Sequence, residues 1–264
     1  MSVLVVIPAR YASRRYPGKP LASLTGATGR AMTLIERSWR AAMAVRGVDA
    51  VTVATDDDRI AEAARGFGAD VTMTAQTCAN GTERCMDAIR VRGEAPDIVV
   101  NLQGDAPLTP AWFVEDLIAA MADGPPVATP VLRCDARTYA NFTEDRRAGR
   151  VGGTTAVFGA DLSALYFSKE VIPYLPRPPA PGEPVPVFHH VGLYAYTPDA
   201  LRAYAAAQPG PLERLEGLEQ LRFLENGIPI RCVEVEGRGR VFWELNNPED
   251  IPRIEAALKA EGQE

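Results

Sequence analysis

The chain is poor in the residues that build metal clusters and broad cationic surfaces. It has four cysteines, two histidines and three lysines among 28 basic residues. The cysteines lack the C-x-x-C spacing of zinc sites, and His189 and His190 are adjacent, so the sequence favours free thiols over a zinc centre. A formal net charge of -6 argues against the basic face that binds duplex nucleic acid. We therefore expect no nucleic-acid partner.

Long apolar runs are also missing. No segment approaches the ~20 apolar residues of a membrane-spanning helix. The apolar stretch at the N-terminus is interrupted by Pro8 and Arg10, which is unlike the hydrophobic region of a signal peptide. These features predict a cytoplasmic protein with no membrane partner, and 264 residues are enough for a large α/β core.

The most informative segment is an apolar strand that leads into a cationic loop. Residues 3–7 form a continuous apolar run, which suits a parallel strand covered on both faces. The loop after it carries Arg10, Arg14, Arg15, Gly18 and Lys19. Ligands of open α/β sheets bind beyond the carboxyl ends of the strands, so this loop predicts a site for a nucleoside triphosphate. Pro20 after Lys19 excludes a Walker A loop, and a solvated basic turn is the alternative.

Short apolar runs alternate with helical patterns as far as residue 134, which predicts βαβ units and a parallel sheet. The regularity ends near residue 135, and residues 135–150 are polar. The later segments VGGTTAVFG, ALYFSK and HHVGLYAY are typical of strands in a mixed sheet. Leucines at helical spacing in PLERLEGLEQLRFLENG predict a helix, and PEDIPRIEAALKA predicts another at the end.

Asp105 follows the apolar segment DIVVNL through Gln103 and Gly104. A carboxylate at the carboxyl end of a strand, near a cationic loop, suits a magnesium ion that binds together with a nucleotide. A helix cap or a turn aspartate is the alternative, because Gly-Asp-x-Pro also favours a turn.

Several motifs together resemble one enzyme family. IPARYASRRYPGKPL, VATDD, NGTER, NLQGDAP, ALYFSK, HHVGLYAY and PLERLEGLEQLRFLENG are similar, in order and spacing, to the CMP-Kdo synthetases, which are 3-deoxy-manno-octulosonate cytidylyltransferases. The resemblance implies a Rossmann-like α/β nucleotidyltransferase fold with a mostly parallel central sheet and a smaller mixed lobe. It also implies a homodimer that uses CTP and Mg²⁺, transfers CMP to a small acidic acceptor and releases pyrophosphate. On this basis we expect a CTP-binding core over residues 1–134, an acceptor-binding and dimerisation lobe over 135–210, and C-terminal helices that return to the core over 211–264.

The resemblance also implies site residues. CTP would be bound by Arg10, Ser13, Arg15, Lys19, Arg84 and Gln103. Catalysis would depend on Arg15, Lys19 and Asp105, and the metal would be held by Asp105 and Asn246. The acceptor would be bound by Lys169, His190, Tyr194, Glu219 and Gln220. Tyr194 has packing as its alternative role, and Glu219 and Gln220 have a solvated helix face.

Three positions depart from the family pattern near the expected chemistry. Asn246 in LNNPED replaces an aspartate, Thr155 replaces a lysine, and Ala106 in QGDAP replaces a glutamate. Among the acceptor candidates, Lys169 stands where arginine is common. An amide binds Mg²⁺ more weakly than a carboxylate does. The departures leave the acceptor open between Kdo or an amino-Kdo analogue and a phosphonate such as phosphonoformate. A preference for another nucleotide and a non-catalytic nucleotide-binding role are further alternatives.

Overall fold

The computed structural model describes residues 1–12, 16–151, 153–180, 182–240, 244–245 and 247–263. The chain forms two compact units. The first comprises Met1–Ile118 and Gly237–Glu264, and the second comprises Ala119–Glu236. These boundaries, after residues 118 and 236, differ from the predicted ones after residues 134 and 210. The functions predicted for residues 1–134, 135–210 and 211–264 stay predictions.

The first unit contains four parallel strands covered by helices. In chain order its elements are β1 Val3–Ala9, β2 Ser23–Thr25, β3 Ala31–Thr33, α1 Leu34–Met43, β4 Ala50–Thr55, α2 Asp58–Gly66, β5 Asp70–Met73, α3 Gly81–Arg92, β6 Ile98–Leu102 and α4 Ala111–Met121, which runs past Ile118. The parallel order is β5-β4-β1-β6, and β2 pairs with β3 as a separate antiparallel hairpin. The predicted βαβ pattern of this region is confirmed.

Helices α1, α2 and α3 begin at residues whose side chains accept hydrogen bonds from the first turn. Thr33, Asp57 and Asn80 accept from the backbone amides of Glu36, Arg59 and Glu83, which satisfies donors that a helix leaves unpaired. Strand β1 is almost wholly buried, as its apolar sequence predicts. Together, caps and buried strands place the loops that follow β1, β4, β5 and β6 at one edge of the parallel sheet.

The second unit is a mixed sheet with helices. Its remaining elements are β7 Val127–Arg133, α5 Ala136–Arg147, β8 Thr155–Phe158, β9 Ala164–Ser168, β10 Phe188–His190, β11 Leu193–Tyr196, α6 Pro198–Ala206, α7 Pro211–Glu216, α8 Leu221–Glu225 and β12 Ile230–Val235. Strands β11 and β10 run antiparallel to the two halves of β7, and β12 runs parallel along its length. Strands β8 and β9 continue the antiparallel pairing from β10.

One helix of this unit was not predicted, and one predicted helix was wrong. Residues 136–147, described above only as polar, form α5, because Asp135 accepts from the Thr138 amide and starts a helix in a polar segment. The helix predicted through PLERLEGLEQLRFLENG is interrupted, because Gly217 adopts the left-handed conformation with φ 61° and ends α7. Glu219 and Gln220 therefore lie in the connection between α7 and α8, and not on a helix face.

The C-terminal residues complete the first unit. Helix α9, Ile251–Ala260, contributes Ile254, Ala257 and Leu258 to an apolar cluster. The other buried members of that cluster are Leu24, Leu34, Leu108 and Leu245. In the described part of the chain, every helix is too short or too polar to span a bilayer.

Candidate functional site

Lys19 and Asp105 form a direct ion pair in the first unit. Gly18, with φ 71°, allows the loop after β1 to enter the short 3-10 turn that begins at Lys19. Lys19 Nζ donates to Asp105 Oδ2 at 2.6 Å, and the two side chains are only 15% and 26% exposed. Because Asp105 follows β6, the pair joins the loops beyond two adjacent parallel strands. The structure thus brings together two residues that were predicted to act in catalysis.

Gly104 fixes the position of Asp105. A Cβ atom at Gly104 would lie 2.9 Å from the carbonyl oxygen of Pro8, which is backbone and cannot rotate away. The Gly104 carbonyl also accepts from Ser38 Oγ at 3.2 Å. The loops after β1 and β6 therefore approach closely only because residue 104 has no side chain.

Arg84, a predicted nucleotide-binding residue, is buried on α3 and held by two polar partners. Its Nη1 donates to Thr74 Oγ1 at 2.5 Å and lies 3.2 Å from Asp56 Oδ1. Thr74 and Asp56 follow β5 and β4, so the guanidinium group is fixed at the carboxyl ends of these strands. Asp56 lies in the motif VATDD, and the sequence alone did not indicate this contact.

Arg10 and Gln103 lie near the beginning of α3. Arg10 is exposed, and its Nη1 donates to the Ala79 carbonyl at 3.4 Å. A Cβ atom at Gly81 would lie 3.3 Å from Gln103 Nε2, so α3 begins close to the end of β6. Arg10, Lys19, Arg84, Gln103 and Asp105 thus all lie in loops or helix starts beside the carboxyl ends of the parallel strands. The other nucleotide-binding and metal candidates, Ser13, Arg15 and Asn246, lie outside the described residues.

The donor set suits a metal ion that arrives with a nucleotide better than a resident ion. The described residues contain no group of three or more His, Cys, Asp or Glu side chains that could hold a metal. Mg²⁺ bound with a nucleotide needs one or two carboxylates, because phosphate oxygens and water supply the other ligands. Asp105 fits that mode. The Leu245 amide donates to the Asp105 carbonyl at 2.9 Å, so the LNNPED motif reaches Asp105 through Leu245.

His190, Tyr194 and Gln220, three predicted acceptor residues, form a buried polar cluster in the second unit. His190 Nε2 lies 3.0 Å from Thr129 Oγ1, and Tyr194 OH donates to Gln220 Oε1 at 3.2 Å. The His190 and Tyr194 rings are 5.5 Å apart. Burial lowers the pKa of His190 to about 3, with the neighbouring His189 as a second cause, so its imidazole is neutral. Gln220 Nε2 is buried and has no hydrogen-bond partner within the described residues, so it can donate to a ligand.

Lys169 and Glu219, the other acceptor candidates, are half-buried. Lys169 directly follows β9, and its backbone amide donates to Glu216 Oε2 at 3.0 Å. Thr155, which stands where the resemblance places a lysine, is buried, and its Oγ1 donates to the Glu170 carbonyl at 2.6 Å. Ala106, which stands where the resemblance places a glutamate, is buried at 3% exposure. Glu216 was missed by sequence reasoning, because only the folded chain brings it to β9.

The chain is similar to cytidylyltransferases over its whole length. A family model described as "Cytidylyltransferase" matches residues 4–233. A 3-deoxy-manno-octulosonate cytidylyltransferase of Maricaulis maris is 47% identical, with 100% of this chain and 99% of the relative covered. The corresponding Myxococcus xanthus enzyme is 39% identical, with 98% and 97% covered.

Solved structures agree with the sequence comparisons. A structure of CMP:2-keto-3-deoxy-manno-octonic acid synthetase in complex with CTP superimposes with a TM-score of 0.83 at 34% identity, and covers 99% of this chain and 100% of its own. A 4-diphosphocytidyl-2C-methyl-D-erythritol synthase from Anaerococcus prevotii, at 12% identity and a TM-score of 0.59, shares the fold. The predicted Rossmann-like α/β nucleotidyltransferase fold is confirmed. The chain belongs to the cytidylyltransferase family and, within it, to the 3-deoxy-manno-octulosonate cytidylyltransferases.

Proposed function

We propose that this cytidylyltransferase transfers CMP from CTP to 3-deoxy-manno-octulosonate (Kdo) and releases pyrophosphate. The observation that carries the proposal is the 47% identity with a Kdo cytidylyltransferase along the entire chain. A phosphonate acceptor is not favoured, since the curated relatives described above are named for 3-deoxy-manno-octulosonate. Another nucleotide and a non-catalytic role are not favoured, since those relatives and the family model are cytidylyltransferases.

On the nucleotide side, Lys19, Arg84 and Arg10 would bind and orient the triphosphate. An acceptor oxygen would attack the α-phosphorus in line with the departing pyrophosphate, and fixed cations would stabilise the charge on the phosphoryl oxygens. Lys19 has a neutralising partner in Asp105 before CTP binds. Binding of the triphosphate would draw the ammonium to the phosphates and release the carboxylate.

We propose that Asp105 then holds Mg²⁺ together with the phosphate oxygens. The ion would supply further neutralisation of the phosphate charge. One carboxylate is sufficient for this mode of binding, as set out above. The proposed role of Asn246 as a metal ligand rests on sequence alone.

On the acceptor side, the polar groups of the second unit match a sugar acid. The Lys169 ammonium can pair with a carboxylate, whereas the neutral His190, Tyr194 and Gln220 offer hydrogen bonds to hydroxyl groups. The unpartnered Gln220 Nε2 supports this assignment, because a ligand oxygen would satisfy it. A phosphonate would use the cation but would leave most of these uncharged groups without a role.

We also propose a homodimer in the cytoplasm. Three large apolar side chains of the second unit are highly exposed, namely Leu165 at 67%, Tyr174 at 86% and Leu215 at 83%. Such side chains favour burial by a partner surface when they lie close together. Sedimentation equilibrium measures the mass directly, and replacement of Leu165 and Leu215 by serine should shift it toward the monomer.

The central experiment measures pyrophosphate release from CTP and Mg²⁺ with Kdo, 8-amino-Kdo, sialic acid and phosphonoformate in parallel. Asp105→Asn serves as the blank, and UTP and ATP replace CTP in matched reactions. We expect release with CTP and Kdo. Release with phosphonoformate alone would contradict the proposed acceptor, and CTP binding without release for any acid would contradict the proposed catalysis.

A further inference from the structure

Glu216 holds the end of the strand that carries Lys169. One carboxylate oxygen, Oε2, accepts from the Lys169 backbone amide at 3.0 Å. The other, Oε1, accepts from Ser168 Oγ at 2.7 Å and lies 3.4 Å from the Tyr166 hydroxyl. Two of the three donors, Tyr166 and Ser168, lie in β9, and the third, Lys169, directly follows it. A carboxylate that accepts several hydrogen bonds is a strong anchor, because each bond is charge-assisted.

The backbone just after Lys169 is held by Thr155. Its Oγ1 donates to the Glu170 carbonyl at 2.6 Å and accepts from the Ile172 amide at 3.2 Å. Ser168 Oγ also accepts from the Glu170 amide at 3.0 Å. The backbone on both sides of Lys169 is therefore fixed by side chains from β8 and from the end of α7.

The residue after Glu216 leaves room for the lysine head group. A Cβ atom at Gly217 would lie 3.1 Å from Lys169 Nζ, which is closer than ordinary contact. Gly217 ends α7 in the left-handed conformation, so the ammonium lies over a helix end that has no side chain. Glu216 thus fixes the backbone of Lys169, and Gly217 shapes the space for its side chain.

We propose that Glu216 is a positioning residue of the acceptor site, whose carboxylate holds the turn that presents the Lys169 ammonium to the acid group of the acceptor. The inference rests on the proposed function, because it assigns Lys169 to the acceptor. It adds that in this chain the lysine depends on a supporting carboxylate from α7. Loss of that support should weaken acceptor binding and leave CTP binding intact.

The test compares Glu216→Ala with Glu225→Ala. Glu225 is a matched control, because its carboxylate also accepts two backbone amides, those of Leu212 and Glu213, at the opposite end of α7. We expect Glu216→Ala to raise the KM for Kdo by about tenfold or more, which is the loss typical of a charge-assisted hydrogen bond, with a KM for CTP within about twofold of the wild type. Glu225→Ala should leave both values within about twofold of the wild type. Glu216→Gln, which keeps one acceptor oxygen, should recover part of the loss.

A coupling measurement separates positioning from general destabilisation. In a Lys169→Met background, Glu216→Ala should cause little further rise in the KM for Kdo, because the positioned ammonium is already gone. An equal rise in both backgrounds, or an equal rise in the KM for CTP, would overturn the proposal. If Glu216→Ala does not fold, Ser168→Ala removes one of the three bonds and should raise the KM for Kdo in the same direction.

Hydrogen exchange tests the hydrogen bond between the Lys169 amide and Glu216 directly, with no acceptor present. The Lys169 amide should exchange at least about tenfold faster in Glu216→Ala than in the wild type or in Glu225→Ala. Unchanged exchange would overturn the positioning role. A wild-type enzyme that shows this protection but releases no pyrophosphate with Kdo would instead refute the proposed acceptor, so the two failures are distinct.

Discussion

His190 should make the protein less stable in mild acid. The ring is 6% exposed and contacts Phe167 and Tyr194, and burial lowers its pKa from 6.5 to about 3. A histidine buried in the neutral form stabilises the folded state fully above its unfolded pKa. This contribution is lost as the pH falls from about 6.5 toward the folded pKa, because the unfolded chain takes up the proton first.

The size of the loss follows from the two pKa values. At about pH 5 the unfolded imidazole is almost fully protonated and the folded one is neutral, so linkage gives a loss of about 2 kcal/mol relative to about pH 7.5. This figure is insensitive to the folded pKa, because any value well below 5 leaves the folded ring neutral. We expect the difference in free energy of unfolding between the wild type and His190→Gln to shrink by about 2 kcal/mol between these pH values.

Urea unfolding followed by circular dichroism at both pH values measures this difference. Thr129→Val is the control, since Thr129 is the hydrogen-bond partner of His190 but does not titrate. Its effect on the free energy of unfolding should be the same at both pH values. A difference between the wild type and His190→Gln that does not change with pH would show that His190 is not held neutral, and would refute the reasoning.

Three further substitutions test the nucleotide side. Asp105→Asn should lower kcat by about a hundredfold with a smaller effect on CTP affinity measured by calorimetry, and unchanged turnover would reject its role at the reacting phosphate. Gly104→Ala should lower the free energy of unfolding by about 1–3 kcal/mol, because the new methyl group meets the Pro8 carbonyl, and should raise the KM for CTP; a fully active, equally stable variant would contradict this. Asn246→Asp should lower the Mg²⁺ concentration needed for half-maximal rate, and no shift would remove the metal role proposed for this position.

The βαβ pattern of the first unit was predictable from the sequence because its strands are short and apolar, and because cap residues mark where helices begin. The short apolar run before Pro8 and the one before Gln103 favour buried strands, and Asp105 then falls at a strand end. Helix α5 escaped prediction because only Phe142 is buried among its residues, so no apolar stripe marks it.

Contacts that depend on tertiary structure could not be inferred. Asp56 and Arg84 are 28 positions apart, and Glu216 lies 47 residues from Lys169. Neither pair shows a local spacing that indicates its contact. The leucine pattern after Pro211 suggested one helix, and the left-handed Gly217 changes which residues can reach a ligand. The sequence therefore indicated which residues lie at the site more readily than which residues they contact.

The discontinuity of the first unit has a consequence for synthesis on the ribosome. The second unit is one continuous insertion, so all its residues leave the ribosome before those of Gly237–Glu264. The apolar surface formed by Leu24, Leu34 and Leu108 is covered only when Leu245, Ile254 and Leu258 arrive. The inserted unit can thus fold while the unit that encloses it in sequence is still incomplete. A chain released early, near residue 236, would expose this surface and be a substrate for chaperones and proteases.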